Sequence, residues 1–265
     1  MRVPIEILLI IYKHQLKTFF SILLAAFFAS CVSVPPAAPD AGPLKLFFAR
    51  CRSDMVQAKK VIVDHDLVKN LTHLLRMNNG GDKYYLLEKE SITMLIRSVT
   101  EGAYADFILV NEQGTVVYAM MNHALFAKNV LAALKNTSLK ACYENRNAGL
   151  YIGPSSLLPD DRAYTIAVSS LASGTNTLPG TFIMIIDISK IREVVGDNTS
   201  IVDSSGTYII AGDYSKINAH YRDFEKINLS RPEGEKTAYF TGAAGRVCRY
   251  TVFRHDDLLW ILVSE

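Results

Sequence analysis

One pattern of apolar and polar positions occurs twice in the chain. Residues 110–119 read VNEQGTVVYA and residues 202–211 read VDSSGTYIIA, so Val, Gly, Thr and Ala recur in register. In each copy an apolar stretch leads into a polar turn with a glycine, Gly114 or Gly206, and then into a second apolar stretch. This pattern is typical of a β-hairpin. Two hairpins of one design, far apart in the chain, predict two copies of one small α/β module.

The region before the first hairpin has helical spacing. Ser53-Asp54 is a candidate cap for a helix over residues 54–75, and the Asn-Asn-Gly-Gly sequence at 78–81 predicts a break. A second helical stretch then precedes the first strand, which gives a long leading helix interrupted once. The apolar positions that define the two helical faces are Val61, Leu67, Val68, Leu71, Leu74 and Leu75, then Leu87, Ile92, Leu95, Ile96 and Val99.

The remaining pattern switches mostly to strands. In the first module we expect strands over residues 106–110, 115–121, 149–152, 163–171 and 181–187, and short helices over 124–134 and 188–195. In the second module we expect strands near 200–202, 207–211, 236–241, 246–253 and 258–263.

The N-terminus differs from the rest. Residues 18–30 form a largely apolar run, which is short for a membrane helix of about 20 residues and suits a signal peptide better. The run ends in Phe-Ala-Ser-Cys, which resembles the lipobox of bacterial lipoproteins, and this resemblance implies lipidation at Cys31. Residues 32–43 are rich in Pro and Ala, as a tether would be. An ordinary signal peptide and an uncleaved anchor stay open as alternatives, and all three deliver the protein to the extracytoplasmic side of the cell envelope.

Composition and cysteine spacing exclude several classes. The 265 residues are 49% apolar and 20% charged with a net charge of +2, which is unlike a disordered chain, a polytopic membrane protein or a nucleic-acid-binding protein. Cys51, Cys142 and Cys248 have no metal or redox spacing and are interpreted as small buried side chains, with a Cys51–Cys142 or Cys142–Cys248 bridge as the alternative. We predict no metal, no cofactor and no catalytic residue, because no hydrolase, zinc-protease or phosphate-loop motif occurs.

The order of these predicted segments resembles the double Cache sensors, which are extracytoplasmic PAS-like domains of bacterial receptors. An apolar strand ending in Asp187 stands directly before a connecting helix, and a strand containing Trp260 comes last, as in that family. The resemblance covers roughly residues 45–264 and implies an α+β fold, with a long N-terminal helix followed by two modules with antiparallel sheets. We expect a signal peptide at 1–30, a tether at 31–44, a leading helical segment at 45–104, a membrane-distal module at 105–195 and a membrane-proximal module at 196–265.

The resemblance also implies a ligand pocket in the distal module. In members that bind amino acids, an Arg-x-Trp-Tyr sequence near a helix grips the carboxylate, and an acidic residue at the Asp187 position takes the ammonium group. Here residues 127–130 read Ala-Lys-Asn-Val, so a small carboxylate or another polar metabolite is at least as plausible a ligand as an amino acid. The candidate ligand-binding residues are Asp187, Tyr151, Arg162, Tyr164 and Tyr118. A helix cap at Asp187, a local ion pair at Arg162 and a packed strand position for Tyr151 are the structural alternatives.

These observations lead to two functional hypotheses. The first is a lipid-anchored sensor that binds a small molecule and reports it to a membrane signalling partner, because we expect no signalling region of its own; dimerisation through the leading helix is expected by analogy. The second is an envelope adaptor whose Cache-like fold has lost its pocket. A distal module filled by large apolar side chains would support the adaptor, and an open pocket lined by tyrosine and Asp187 would support the sensor.

Overall fold

The computed structural model describes residues 38–77, 82–102, 104–134, 137–147, 149–157, 164–230, 238–243, 245–255 and 258–264. The predicted signal peptide, residues 31–37 of the tether with Cys31, and Arg162 lie outside these residues, as does the predicted break at 78–81. In the described part of the chain, no helix is long and apolar enough to cross a membrane.

Three helices lead the chain: α1 over Gly42–Asp64, α2 over Leu67–Met77 and α3 over Asp82–Arg97. The predicted start at Ser53-Asp54 is wrong, because the helix begins at Gly42, where a proline follows at an early helical position and suits the first turn. Asp54 therefore lies inside α1, where it is buried. An interruption that was not predicted separates α1 from α2 at Asp66, whose φ of 48° is left-handed.

Two five-stranded antiparallel sheets follow, and both have the same strand order. The strands of the first are β1 Asp106–Asn111, β2 Val116–Ala119, β3 Tyr151–Leu157, β4 Tyr164–Ala172 and β5 Gly180–Asp187. The strands of the second are β6 Thr199–Asp203, β7 Tyr208–Ile210, β8 Ala238–Thr241, β9 Val247–His255 and β10 Leu258–Ser264. The first sheet has the order β2-β1-β5-β4-β3, and the second has the order β7-β6-β10-β9-β8. Helix α4, Ser138–Glu144, lies between β2 and β3, and helix α5, Ile188–Val195, connects the sheets. The predicted α+β fold with two antiparallel sheets is confirmed.

The two hairpin turns have the same pattern of side-chain-to-backbone hydrogen bonds. The Oδ1 atom of Asn111 accepts from the backbone N–H groups of Gln113 and Thr115, at 3.1 and 2.9 Å. The Oδ1 atom of Asp203 accepts in the same way from Ser205 and Thr207, at 2.8 and 2.9 Å. In both turns the side-chain oxygen holds the backbone, so a short polar side chain is needed at this position.

The turn glycines of the two hairpins are matched in conformation. Gly114 has φ 78° and Gly206 has φ 86°, a region that glycine enters without steric cost. The repeat extends beyond the hairpin to a second pair of left-handed residues, Ala127 with φ 61° and Asn218 with φ 67°. The predicted helix over residues 124–134 is wrong, because only a single 3-10 turn at His123–Leu125 forms before Ala127 leaves the helical region.

The first sheet is covered on both sides. Its helix face, which includes Phe107, Leu109, Phe182 and Met184, packs against the leading helices. Its loop face, which includes Ile108, Val110, Ile183 and Ile185, packs against side chains from residues 125–134 and 139–143. The core on the helix face extends along α1 to the second sheet, where Phe48 contacts the rings of Phe253 and Trp260. One continuous core therefore joins the leading helices to both sheets.

Candidate functional site

Helix α3 lies along the edge strand β2 through side chains spaced four residues apart. The Tyr85 hydroxyl donates to the backbone oxygen of Ala119 at 2.8 Å and accepts from its N–H at 3.0 Å. The Thr93 and Tyr118 hydroxyls lie 2.8 Å apart. Because a four-residue spacing returns to one side of a helix, Lys89 projects toward the same edge of the sheet as Tyr85 and Thr93.

A buried carboxylate lies at this edge of the sheet. Asp106, the first residue of β1, is 3% exposed. Its two carboxylate oxygens accept from the backbone N–H groups of Met121 and Asn122, both at 2.9 Å. Burial raises the pKa of the Asp106 carboxyl, and the backbone N–H donors oppose that shift only in part. The charged form of Asp106 is therefore incompletely compensated by its neighbours.

This carboxylate lines a cleft of about 320 Å³, which we call the Asp106 cleft. Its walls are formed by Ala105, Asp106, Met121, Asn122, His123 and Ile185, among others. Lys89 stands beside His123, with Nζ 2.8 Å from Nε2. The Nδ1 atom of the same ring lies 3.4 Å from Nζ. The cleft thus presents a carboxylate and, on another wall, an imidazole beside the Lys89 side chain.

Such an arrangement suits a small ligand that carries a positive charge. The Asp106 carboxylate accepts two hydrogen bonds within the described residues, where a carboxylate can take about four, and the N–H groups of Phe107 and Met120 also lower its pKa. An ammonium group placed there would make a charge-assisted bond to a partly desolvated partner, which is stronger than a bond between neutral groups. The Asp106 cleft can therefore hold a primary amine or a zwitterion.

The centre of the loop face, by contrast, is filled. The buried side chains of Ile108, Val110, Ile183 and Ile185 meet others from the segment that covers them. These partners are Leu125, Val130, Leu134, Leu139, Cys142 and Tyr143. On the loop face, space for a ligand is therefore at the ends of the sheet and not over its middle.

Comparison with known proteins identifies this fold. No family model and no curated protein sequence matches the chain. Among solved structures, the sensory domain of the Campylobacter jejuni chemoreceptor Tlp3 (CcmL), with isoleucine bound, superposes with a TM-score of 0.53 at 9% identity. That match covers 84% of this chain and 86% of the other. A domain of a sensory box/GGDEF family protein from Vibrio parahaemolyticus gives a TM-score of 0.50 at 13% identity, covering 84% and 93%.

This chain has the double Cache fold. At these identities the likeness shows the architecture, so the chemistry of the site depends on the chain's own residues. The Asp106 cleft belongs to the first of the two Cache modules.

The double Cache fold places four of the five predicted ligand residues. Asp187 caps helix α5, since its Oδ1 accepts from the Ser189 N–H at 2.7 Å. Tyr151 is half-buried on the loop face. Tyr118 and Tyr164 pack with the core on the helix face. The structure brings Asp187 and Tyr151 to one side of the sheet and the other two tyrosines to the opposite side, and their roles as ligand-binding residues stay predictions.

Residues 127–130, where the Arg-x-Trp-Tyr sequence was expected, form no helix. Helix α4 carries Lys140, Cys142 and Tyr143 at the spacing of the three named residues. Lys140 pairs with Glu144 at 3.5 Å. The three described cysteines are buried, as the sequence predicted, and no disulfide joins them.

Asp106 was missed, although the sequence contains a signal for it. Side chains alternate between the two faces of a strand, so Asp106 shares a face with Ile108 and Val110. An acidic residue in register with a buried apolar stripe indicates a buried carboxylate.

Proposed function

We propose that this double Cache domain is an extracytoplasmic sensor whose ligand binds in the Asp106 cleft. The observation that carries the proposal is the buried, incompletely compensated carboxylate of Asp106 on the wall of the cleft. The ligand class is a small amine or zwitterion, with amino acids as the first compounds to test. In support, the Tlp3 sensory domain of the same fold holds isoleucine.

A zwitterion would use both polar walls of the Asp106 cleft. Its ammonium group would bind Asp106, and its carboxylate would lie toward His123 and Lys89. Burial lowers the pKa of the Lys89 ammonium group, while the negative charge of Asp106 opposes that shift. An incoming carboxylate would favour the charged form of Lys89 in the same way. A cleft of about 320 Å³ is at the small end of ligand sites, which matches a metabolite of amino-acid size.

A second buried carboxylate connects this cleft to the leading helix. Asp54 in α1 is 3% exposed and accepts from the backbone N–H groups of Glu101 and Gly102, at 3.0 and 2.8 Å. It also accepts from the Tyr104 hydroxyl at 2.7 Å. The segment held by Asp54 runs directly into Asp106. We propose that ligand binding shifts this segment and, through Asp54, shifts α1.

The anchor and the partner complete the proposal. We propose that residues 1–30 are a signal peptide and that Cys31 carries the lipid. A membrane protein receives the signal from this protein, which acts as a homodimer or a monomer. Fatty-acid labelling of the parent protein and of Cys31→Ala tests the anchor. Label that depends on Cys31 supports it, while an unlabelled parent or unchanged processing of the variant contradicts it.

The binding proposal is tested with a thermal-shift screen of amino acids, amines, short carboxylates, purines and sugars. Asp106→Asn keeps the shape of the side chain and removes its charge, so a hit should lose its effect in this variant. Asp187→Asn is the matched comparison. If Asp187→Asn loses binding and Asp106→Asn keeps it, the ligand binds at Asp187, as the family resemblance implies, and not in the Asp106 cleft.

The second candidate is the adaptor, which the filled loop face favours. An adaptor needs no ligand, and its first module would be a rigid structural unit. A screen without hits on well-folded protein, together with a protein partner whose binding survives Asp106→Asn, would establish this alternative.

A further inference from the structure

A second cleft lies at the opposite end of the first sheet from Asp106. It has a volume of about 200 Å³ and lies where β1 ends and β5 begins, beneath the turn that follows α4. Its polar lining consists of Asn111, the exposed Glu112, Tyr143, Arg146 and Asn147, and Leu171 and Pro179 form an apolar wall. Thr181 of β5 also lines it. We call this the Arg146 cleft.

The guanidinium group of Arg146 is held in place at the mouth of this cleft. Its Nη1 donates to the backbone oxygen of Tyr143 at 2.8 Å, and its Cζ lies 4.3 Å from the centre of the Tyr143 ring. Tyr143 is itself fixed, because it is buried and its hydroxyl donates to the backbone oxygen of Glu112 at 2.5 Å. A guanidinium group has five N–H donors, and the described contacts use one of them. The others are available in a preset orientation.

A buried hydroxyl without a partner lies in the same cleft. Thr181 is 1% exposed, and its Oγ1 makes no hydrogen bond within the described residues. The period of two along β5 puts its side chain on the loop face with Ile183 and Ile185, which is the face that Tyr143 covers. Buried polar groups are nearly always paired, so an unpaired hydroxyl on the wall of a cleft indicates a partner supplied by a ligand.

We propose that the Arg146 cleft binds a short-chain carboxylate, at a site separate from the Asp106 cleft. The guanidinium fork of Arg146 matches the two oxygens of a carboxylate, and the Thr181 hydroxyl donates to one of them after rotation of its side chain. Leu171 and Pro179 accommodate a short alkyl chain, which favours an organic acid over an inorganic ion. The site is thus formed by an oriented cation, an unpaired donor and an apolar wall.

Isothermal titration calorimetry of the full-length protein with propionate tests this site. We expect saturable binding that Arg146→Gln weakens about ten- to hundredfold, as is usual when a hydrogen bond to a charged group is lost. Thr181→Val has nearly the same shape and removes only the unpaired hydroxyl. It should weaken propionate binding about three- to tenfold, and it should keep or raise the melting temperature. Lys190→Gln removes an exposed cation from α5 and serves as the control, with no change expected.

Three results would overturn the proposal. The first is the absence of saturable propionate binding up to about 10 mM, beyond which affinity is negligible. The second is an affinity unchanged by both Arg146→Gln and Thr181→Val. The third is inorganic phosphate that binds more tightly than propionate and displaces it, because the site would then take a tetrahedral ion.

Discussion

The two modules share a hairpin, a strand order and a left-handed turn, yet they differ in what they bury. The first places the carboxylate of Asp106 at the end of its sheet beside a cleft, while the core on the corresponding face of the second is built from Tyr208, Tyr221, Tyr250 and aliphatic side chains. They also differ in how they attach to α1. The first adds hydrogen bonds to Asp54 to its apolar packing against α1, while the second attaches through the rings around Phe48. One scaffold thus supports a polar module suited to binding and an apolar module suited to packing.

The largest expected effect comes from the apolar attachment. Phe48 is fully buried between Phe253 and Trp260, so Phe48→Ala should lower the free energy of unfolding by about 3–5 kcal/mol. Leu46→Ala, at a position of the same helix that is 75% exposed, should change it by less than about 0.5 kcal/mol. Chemical denaturation measures both. Equal losses in the two variants would contradict the role of Phe48.

The polar attachment should come next. Asp54→Ala leaves the N–H groups of Glu101 and Gly102 and the Tyr104 hydroxyl without their acceptor, which should cost about 2–4 kcal/mol. Hydrogen exchange should then increase in β1 before it increases in β10. The opposite order would mean that the two attachments have been assigned to the wrong modules.

Exchanging the left-handed residues of the two modules gives a smaller, paired effect. Ala127→Asn introduces the residue found at the equivalent position of the second module. It should raise the free energy of unfolding by about 0.5–1 kcal/mol, because asparagine tolerates a positive φ better than alanine does. Asn218→Ala should destabilise by about 1–2 kcal/mol, since it also removes the bond that Asn218 Oδ1 accepts from the Ser155 hydroxyl at 2.8 Å. Thermal unfolding of both variants measures the pair. Effects of the same sign would show that the turns are not equivalent.

The smallest effect is a pH dependence from Asp106. Burial raises the pKa of this carboxyl above its unfolded value, so its protonation favours the folded state. As pH falls through the raised pKa, the wild type should therefore gain stability relative to Asp106→Asn, and it should bind amines less tightly because the carboxylate is lost. Denaturation at a series of pH values measures the first trend. A wild type that loses stability relative to Asp106→Asn as pH falls would contradict this prediction.

The sequence predicted the features that depend on local patterns. The repeated Gly114 and Gly206 turns located both hairpins, and apolar runs located the strands, because turn chemistry and side-chain periodicity act over a few residues. The errors were at positions decided by tertiary contacts. Asp54 is a residue type that often caps helices, but here it lies inside α1. Its carboxylate oxygens accept hydrogen bonds from the backbone N–H groups of Glu101 and Gly102, in the segment before β1.

The candidate site was less predictable than the fold. Asp187 was found by resemblance, and the structure shows it capping a helix. Asp106 and Arg146 lie at opposite ends of one sheet, and their surroundings come from residues distant in the chain, such as Lys89 for the first cleft and Thr181 for the second. Spacing along the sequence does not reveal such neighbours.

The most direct test of the sensor account is a thermal-shift screen run in parallel on the wild type and on Asp106→Asn. A ligand at one hundred times its Kd stabilises the folded state by about 2.7 kcal/mol, which is readily detected. The account predicts that an amino acid or a small amine raises the melting temperature of the wild type and leaves that of Asp106→Asn unchanged. A hit that shifts both proteins equally, or a wild type that no amine stabilises, would contradict it.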